Sequence, residues 1–500
     1  MRKILANLLS IHVLLTVLLM ALPLASSPTS AGEAKGKYEE KGKHDKDKEK
    51  PEDEERPEDK EKARSMFGRL FPELPAYHAP SDDALTALTV AVGPTGAAGP
   101  LFDENLAQDN NPDNVPAFFT YFGQFLDHDM TLDTLPLPTA PVDPTTIPNE
   151  RDPRLNLDSV YGGGPDQNPE LYEADKKHLK VNGRDLPRNP DGSAIVGDGR
   201  NDENQVIAQL HVAFLRAHNS LIDKGKKINQ ARKLMRWRHQ WIVVHEFLPE
   251  VLDAEVYADV FRPDGTIQTR YYDPKHAARA EMPVEFSVAA YRFGHSQVRR
   301  AYRITEGGPG VQVFNNTPDD LHGGRPITPD HIIFWPNFLS VDGVPPTGSP
   351  VANISRKIDT LLSSGLFFLP IPGAEPAGSA ILAKRNIQRA REYGLPSGQA
   401  VAARLGIPVL TNQQIIAAIP RLGVLADPAY KGEAPLWLYV LAESQIVHNG
   451  AKLGPVGSRI VAEVVGGLLA ADNRSYYRRG WNPDNGVFRA EDLLREASVL

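Results

Sequence analysis

One segment of the sequence carries three polar residues that could line a reactive site, beside a run of aromatic side chains. When FFTYFGQFLDHDMTLD, residues 118–133, is read as a helix, Gln124, Asp127 and His128 fall at positions i, i+3 and i+4 on one face. Such groups are costly to bury in apolar surroundings unless they are paired or used. The pattern indicates a proton-transferring histidine, and it is equally compatible with a core histidine that makes one hydrogen bond.

Three further segments carry weaker signals of the same kind. Arg200 and Glu203 are three residues apart near the start of an amphipathic helix, and this spacing by itself predicts an ion pair. In YRFGHS, His295 follows a glycine that permits close approach of a flat or bulky group, so it is either an axial metal ligand or a packed core histidine. The segment KRNIQRAREYGLP on its own is typical of a basic helix surface that ends at Gly394.

Composition excludes several classes of function. The chain of 500 residues has a formal net charge of -8, which gives no overall positive field and disfavours non-specific binding of nucleic acid. It has no cysteine, which excludes disulfides, thiolate zinc sites, iron–sulfur clusters and a cysteine nucleophile. Any metal site must therefore use histidine, carboxylate or other oxygen ligands. A zinc protease at His245-Glu246 is excluded, because Pro249 stands where the second histidine is needed.

The first part of the chain indicates export. Arg2 and Lys3 precede an apolar run and then small residues, which predicts a signal peptide over residues 1–31, with an uncleaved membrane anchor as the rival. Residues 32–66 are dense in charges of both signs, which predicts a disordered linker. We therefore expect a secreted or extracytoplasmic protein that keeps no stable membrane span after cleavage.

The remainder, residues 67–500, predicts one large domain. Alternating apolar runs are few and short, and proline- and glycine-rich connections separate long helical patterns. The expected fold class is mainly α, a single large helical domain with long loops and little β-structure. The predicted helices are Ala117–Asp129, Glu203–Lys224, Lys227–Glu246, Ser379–Tyr393 and Leu436–Asn449.

Five motifs, taken in order, carry a resemblance that the single segments do not. They are GQFLDHD, LDSVYGGG, GDGRNDE followed by HVAFLRAHN, YRFGHS, and NIQRAREYGLP, between about residue 120 and residue 396. Together they resemble the animal-type haem peroxidase family, the myeloperoxidase and lactoperoxidase group, which also has bacterial members. The resemblance covers roughly residues 70–500. It implies haem b and a peroxidase that reduces hydrogen peroxide through a ferryl haem and oxidises halides, thiocyanate or small phenolic donors.

The resemblance also implies roles for the residues of the central site. His128 would be the distal base and Arg200 its distal partner, and Gln124 would line the pocket where family members place a halide or water. His295 would be the proximal ligand of the haem iron. Asn386 would accept a hydrogen bond from the other ring nitrogen of His295.

Further residues would hold the haem itself. Arg292 and Arg389 would pair with its propionates. Asp127 and Glu203 match the two carboxylates that form ester links to the haem in the mammalian enzymes. Asn204 stands where myeloperoxidase has a methionine that forms a third, sulfonium link, and asparagine does not form it.

A calcium site is implied as well. Asp129, directly after the distal histidine, would join oxygen donors at alternate positions of one loop, namely Asp152, the carbonyl of Arg154, Asn156 and Asp158. Such donors suit a hard cation such as Ca²⁺. Aspartate-rich loops are also common as simple turns.

Two alternatives remain beside the peroxidase. The fatty-acid dioxygenase branch of the same superfamily uses a radical tyrosine three residues before the proximal histidine, where this chain has Arg292, with Tyr291 one step further away. The second is a non-catalytic matrix or adhesion protein that keeps the fold. The joint presence of His128, Arg200 and His295 disfavours it. The electron donor and the oligomeric state stay open, apart from the exclusion of a disulfide-linked dimer.

Overall fold

The structure is a computed structural model that describes residues 65–93, 95–103, 110–315, 317–346, 353–369 and 380–500. These residues all belong to one unit, Glu55–Leu500. The predicted signal peptide, residues 1–31, lies outside the described residues, as does most of the predicted linker. Within the ranges described, no helix has the length and apolar character needed to cross a membrane.

Helices dominate the described part of the chain, which confirms the mainly α prediction. They are α1 Asp82–Thr89, α2 Ala117–Met130, α3 Asp158–Tyr161, α4 Gln205–Asp223, α5 Ile228–Ile242, α6 Leu248–Val251, α7 Ala254–Val260, α8 Gly294–Gln297, α9 Leu382–Glu392, α10 Gly398–Leu405, α11 Asn412–Ala418, α12 Leu436–His448, α13 Pro455–Ala471, α14 Tyr476–Arg479 and α15 Ala490–Glu496. All five predicted helices are present, as α2, α4, α5, α9 and α12. The helix predicted over Lys227–Glu246 changes into a π-helical turn, Val243–Phe247, before α6.

The β-structure described is limited to three pairs of very short strands. The strands are β1 Phe67–Gly68, β2 Phe102–Asp103, β3 Met282–Pro283, β4 Ala301–Arg303, β5 Gly310–Gln312 and β6 Leu362–Ser363. β1 pairs with β3 and β2 with β6, both in parallel, and β4 pairs with β5 in antiparallel orientation. Parallel pairs of this length join distant parts of the chain, so they fasten loops around the helical core.

The core is formed where α2 crosses α4. Both helices are buried along most of their length, and the rings of Phe125 and Phe214 stack with centroids 4.4 Å apart. Gly123 lets α2 approach the π-helical turn closely, because a Cβ at this position would lie 3.1 Å from the ring of Phe247. This packing fixes the face of α2 that carries the predicted distal residues.

The second important element is an irregular helical run before His295. A π-helical turn, Glu285–Ala289, passes into a 3₁₀ turn, Ala290–Phe293, and then into α8. The buried carboxylate of Glu285 accepts hydrogen bonds from the backbone of Leu70 and Phe71, which holds the run in place. Interruptions of this kind inside helices are frequent at functional sites.

The folded part begins earlier than the predicted boundary at residue 67. Ser65 is buried, its hydroxyl donates to the carbonyl of Ala280, and its own carbonyl accepts from the backbone of Asn149. Met66 forms a bridge with Pro148. The sequence predicts a linker over residues 32–66, but backbone pairing with distant segments includes Ser65 and Met66 in the fold.

Candidate active site

His128 lies on the buried face of α2, where the sequence predicts it. It is 4% exposed, and its Nδ1 lies 2.9 Å from Oδ1 of Asn201. Burial, followed by the nearby charge of Arg200, lowers the pKa of His128 to about 3. The imidazole is therefore neutral at physiological pH, which is the form that accepts a proton.

Arg200 stands beside His128 in a short 3₁₀ turn, Gly199–Asp202. Its guanidinium donates to the side chain of Asp198 and to the backbone carbonyls of His128 and Thr131. The predicted ion pair with Glu203 does not form, because Asp198 takes its place. Burial disfavours the charge of Asp198, but the hydrogen bond and charge of Arg200 outweigh it and lower the pKa of Asp198 to about 2.

Glu203 and Asp127 face the same space from two elements. Glu203 is exposed, yet burial among protein atoms raises its pKa to about 7. These two facts agree if the carboxylate lines a cavity inside the protein, where a small molecule can enter but solvation is poor. Burial likewise raises the pKa of Asp127, against the opposing charge of Arg200, whose Nη1 lies 3.8 Å from Asp127 Oδ2. The structure therefore brings the two predicted ester-forming carboxylates to one side of Arg200.

Gln124 is fixed between Glu203 and Asn204. Its Nε2 donates to Glu203 Oε2 at 3.3 Å, and its Oε1 accepts from Asn204 Nδ2 at 3.2 Å. The side-chain oxygen of Asn204 also caps α4 by accepting from the backbone of Val206 and Ile207. Asn204 thus has a local structural role.

His295 is held by Asn386 on α9, with a polarity opposite to the predicted one. Asn386 Nδ2 lies 2.8 Å from His295 Nδ1 and donates to it, while Asn386 Oδ1 accepts from Arg292 Nη1 at 3.3 Å. Arg292 occupies the amide oxygen in this structure, so acceptance of a hydrogen bond from His295 by Asn386 stays a prediction for the haem-bound protein. Burial lowers the pKa of His295 to about 3, so this imidazole is neutral too.

Arg292 is a buried cation without a carboxylate partner. Among the described residues, no carboxylate lies within 4 Å of its guanidinium, which donates to Asn386 and to the carbonyl of Ser287. Burial and then the charge of Arg389 lower the pKa of Arg292 to about 10. A buried charge of this kind is costly without a counter-ion, so the position suits an anionic group of a ligand.

Arg389, unlike Arg292, has a carboxylate partner among the described residues. Its guanidinium forms an ion pair with Asp133, 3.1 Å away, and lies over the ring of Tyr393. Its charge is therefore already compensated within the protein. Of the two arginines predicted to pair with propionates, Arg292 is the better placed by charge.

The loop of predicted calcium ligands lies beside Asp129 at the end of α2. The backbone of Leu155 and Leu157 is left-handed and both leucines are buried, so the residues between and around them turn away from the core. Asp129 is fully buried and accepts hydrogen bonds from the backbone of Leu157 and Ser159. Burial, opposed by these hydrogen bonds, raises the pKa of Asp129 to about 6.

The other carboxylates of the loop differ in how well they are paired. Asp158 Oδ1 is buried without a hydrogen-bond partner in the described structure, and burial followed by the charge of Asp129 raises the pKa of Asp158 well above its usual value. Asp152 instead is held by the side chains of Arg154 and Asn156. In the part of the chain described, no three histidine, aspartate or glutamate side chains already converge as ligands of one metal ion.

Sequence reasoning missed three residues that orient the site. Asp198 fixes Arg200, Asn201 contacts His128, and His211 contacts Asn201 through its Nδ1 at 2.9 Å. Asp198 and Asn201 flank Arg200 within GDGRNDE, and an aspartate before a glycine is a usual signal for a capped turn. His211 gives no such signal, because only the fold brings it next to Asn201.

Known proteins resemble this chain over most of its length. Residues 138–495 match the family model of the animal haem peroxidase, a range that contains Arg200, Glu203, His295 and Asn386. Thyroid peroxidase from Sus scrofa is 28% identical over 327 residues, covering 61% of this chain and 32% of that protein. The chain spans less than half the length of this and the other curated relatives compared.

Solved structures share the fold at low sequence identity. Peroxidase A from Dictyostelium discoideum superimposes with a TM-score of 0.59 at 18% identity, covering 87% of this chain and 91% of that one. The fatty acid alpha-dioxygenase of Arabidopsis thaliana superimposes with a TM-score of 0.56 at 16% identity, covering 87% and 76%. Because the family model matches well over half of the sequence, this chain belongs to the animal haem peroxidase family.

Proposed function

We propose that this protein is a haem peroxidase that reduces hydrogen peroxide and oxidises small anionic or phenolic donors. The observation that carries the proposal is a pair of neutral imidazoles, each contacted by an asparagine at Nδ1. Neither His128 Nε2 nor His295 Nε2 has a hydrogen-bond partner within the described ranges. A ring nitrogen without a partner in the protein is available to a ligand or substrate.

The residues present fit haem b. His295 Nε2 would bind the iron, and the uncompensated charge of Arg292 would pair with a propionate. Binding through Nε2 leaves the ring proton on Nδ1, so the Asn386 amide would have to present its oxygen there and release Arg292. When bound, the haem would supply the iron that binds peroxide and the oxidising equivalents passed to the donor.

The protein side chains would move the proton and balance charge. His128 Nε2 would take the proton of the incoming peroxide and return it to the departing oxygen. Arg200, held rigidly by Asp198, would stabilise the negative charge that develops there, in a site where little water competes. Gln124, fixed at both ends of its amide, would shape the pocket without choosing a particular donor.

The proposal extends to the N-terminal residues. Residues 1–31 would direct export and be removed, leaving the charged residues 32–64 as a spacer before the catalytic domain. Sequencing the N-terminus of the mature protein from its native envelope or medium tests this directly. A chain that still begins at Met1 would contradict cleavage.

Activity assays separate the peroxidase from the two alternatives. Haem-loaded protein should oxidise a phenolic dye in the presence of hydrogen peroxide and should consume no oxygen with a fatty acid. Oxygen uptake with fatty acid would favour the dioxygenase, for which Tyr291 offers a buried phenol without a hydrogen-bond partner in the described residues. Absence of both activities in haem-loaded protein would favour a non-catalytic role.

Covalent attachment of haem through Asp127 and Glu203 is part of the proposal. After treatment with peroxide, acid–solvent extraction should leave haem on the wild type and release most of it from the double variant Asp127→Ala/Glu203→Ala. Each single variant should retain an intermediate share, since one ester remains. Asp133→Ala, which removes a nearby carboxylate outside this pair, serves as the control. Complete release of haem from the wild type after repeated turnover would contradict both links.

The proposal also includes a calcium site. Asp129 and Asp158 would bind the ion together with loop oxygens of Asp152, Arg154 and Asn156. A cation would neutralise the buried, unpaired oxygen of Asp158. Calcium at a hundredfold excess over Kd would stabilise the fold by about 2.7 kcal/mol, which raises Tm by several degrees. Calorimetry should show this shift for the wild type and not for Asp158→Ala. An equal shift in both proteins would contradict the site.

A further inference from the structure

Three buried side chains form a continuous hydrogen-bonded chain behind the predicted distal base. His128 Nδ1 lies 2.9 Å from Asn201 Oδ1, and Asn201 Nδ2 lies 2.9 Å from His211 Nδ1. The exposed fractions of His128, Asn201 and His211 are 4%, 0% and 1%. We call this group the His–Asn–His chain.

The amide gives this chain a direction. An asparagine oxygen only accepts and its nitrogen only donates, so the two histidines must stand in opposite tautomers. With the oxygen toward His128, that ring carries its proton on Nδ1 and leaves the lone pair of Nε2 free. His211 then accepts at Nδ1 and carries its own proton on Nε2. Burial lowers the pKa of His211 to about 4, so it is neutral as this pattern requires.

A reversed amide would disable the predicted base. Asn201 would then donate to His128 Nδ1, the ring proton would move to Nε2, and no lone pair would face the peroxide. A mismatch, with two donors or two acceptors facing each other, costs roughly 1–3 kcal/mol at a buried site. The three side chains therefore adopt one of two complete hydrogen-bonding patterns, which differ in the orientation of the Asn201 amide and in the tautomers of both histidines.

His211 is well placed to hold one arrangement. It belongs to α4, and its ring packs edge-on against Phe125, with centroids 6.1 Å apart. Asn201 is also held through its backbone, which donates to the carbonyl of Asp198 at 3.0 Å. His211 and the backbone of Asn201 are thus both held in fixed positions.

We propose that Asn201 and His211 are positioning residues that keep His128 in the tautomer with a free Nε2. Asn201 selects the tautomer, and His211 fixes the orientation of the Asn201 amide. The inference rests on the proposed peroxidase function, since it concerns how His128 is made ready to accept the peroxide proton.

The tautomers are measurable in haem-free protein by long-range ¹H–¹⁵N NMR of labelled histidines. Wild-type protein should show His128 protonated at Nδ1 and His211 protonated at Nε2. In Asn201→Asp, whose carboxylate only accepts, His128 should keep its tautomer while His211 moves its proton to Nδ1. In Asn201→Leu and His211→Leu, His128 should populate both tautomers.

The rate of reaction with peroxide gives a second readout at equal haem content. Asn201→Leu should react about 10- to 100-fold more slowly, as is usual when a partner that orients a functional histidine is lost. His211→Leu should lose less, and Asn201→Asp should recover much of the loss. His218→Leu is the matched control, because His218 is equally buried on α4 but hydrogen-bonds to Tyr161 and Lys177. It should change neither the His128 tautomer nor the rate.

A wild-type His128 protonated at Nε2 would overturn the inference. So would an Asn201→Leu variant with the wild-type tautomer and rate. If Asn201→Leu does not fold, the tautomer of His211 in Asn201→Asp decides the matter, and an unchanged Nε2 proton there is contradictory. Failure of wild-type protein to bind haem would defeat the proposed function while leaving these tautomers as they are, so the two failures are distinguishable.

Discussion

Replacing His128 with alanine is expected to leave haem binding intact and to slow the reaction with peroxide by about 100- to 10,000-fold. The imidazole is buried, neutral and oriented through Nδ1, so its removal takes away the only base held in this way on α2. Stopped-flow absorbance after mixing with hydrogen peroxide measures the rate directly. Haem content, determined on the same samples, should equal that of the wild type.

His218→Ala provides the comparison for His128→Ala. It removes another buried histidine from the same helical core, so the loss of packing is similar. It also removes the hydrogen bonds of His218 to Tyr161 and Lys177. Its peroxide rate should stay at the wild-type value. If His128→Ala reacted as fast as His218→Ala, His128 would not be the base.

Replacing His295 with alanine is expected to abolish stable haem binding. His295 is the only histidine of the YRFGHS run, and its Nε2 has no hydrogen-bond partner in the described structure. Without it, Arg292 alone would attract the propionate but would not bind the iron. Absorbance after gel filtration of haemin-treated protein should show bound haem for the wild type and almost none for the variant.

A half-exposed histidine supplies the control for this second substitution. His178 pairs with Asp175 and with Asp223 at the C-terminal end of α4, so His178→Ala should bind haemin as the wild type does. An Asn386→Ala variant should still bind haem, more weakly, because it removes the orienting amide and not the ligand. If His295→Ala retained haem after gel filtration, the proximal ligand would lie elsewhere.

The fold could be predicted largely because its signals are local. The helical spacing in residues 118–133 predicts α2, and the amphipathic pattern from Glu203 onward predicts α4, whose observed N-cap is Asn204. The π-helical turns at residues 243–247 and 285–289 could not be predicted, since they depend on how the helices pack. Local sequence patterns also do not predict the short strands, because most of them pair with a distant segment.

The candidate site shows the same division. The residue types at positions 128, 200 and 295 follow from the motifs, but their partners do not. Arg200 pairs with Asp198 instead of Glu203, and Arg389 is neutralised by Asp133, a residue 256 positions earlier in the sequence. Tertiary contacts of this kind decide which buried charges are compensated. Of the two arginines predicted to pair with propionates, they leave Arg292 without a carboxylate partner in the described residues.

The central claim is that this protein binds haem through His295, and titration of haem-free wild-type protein with haemin tests it most directly. We predict saturation at one haemin per chain, with an absorbance band characteristic of histidine-bound iron and a matching rise in Tm. A titration that shows only the spectrum of free haemin at every ratio, with no change in Tm, would contradict the claim.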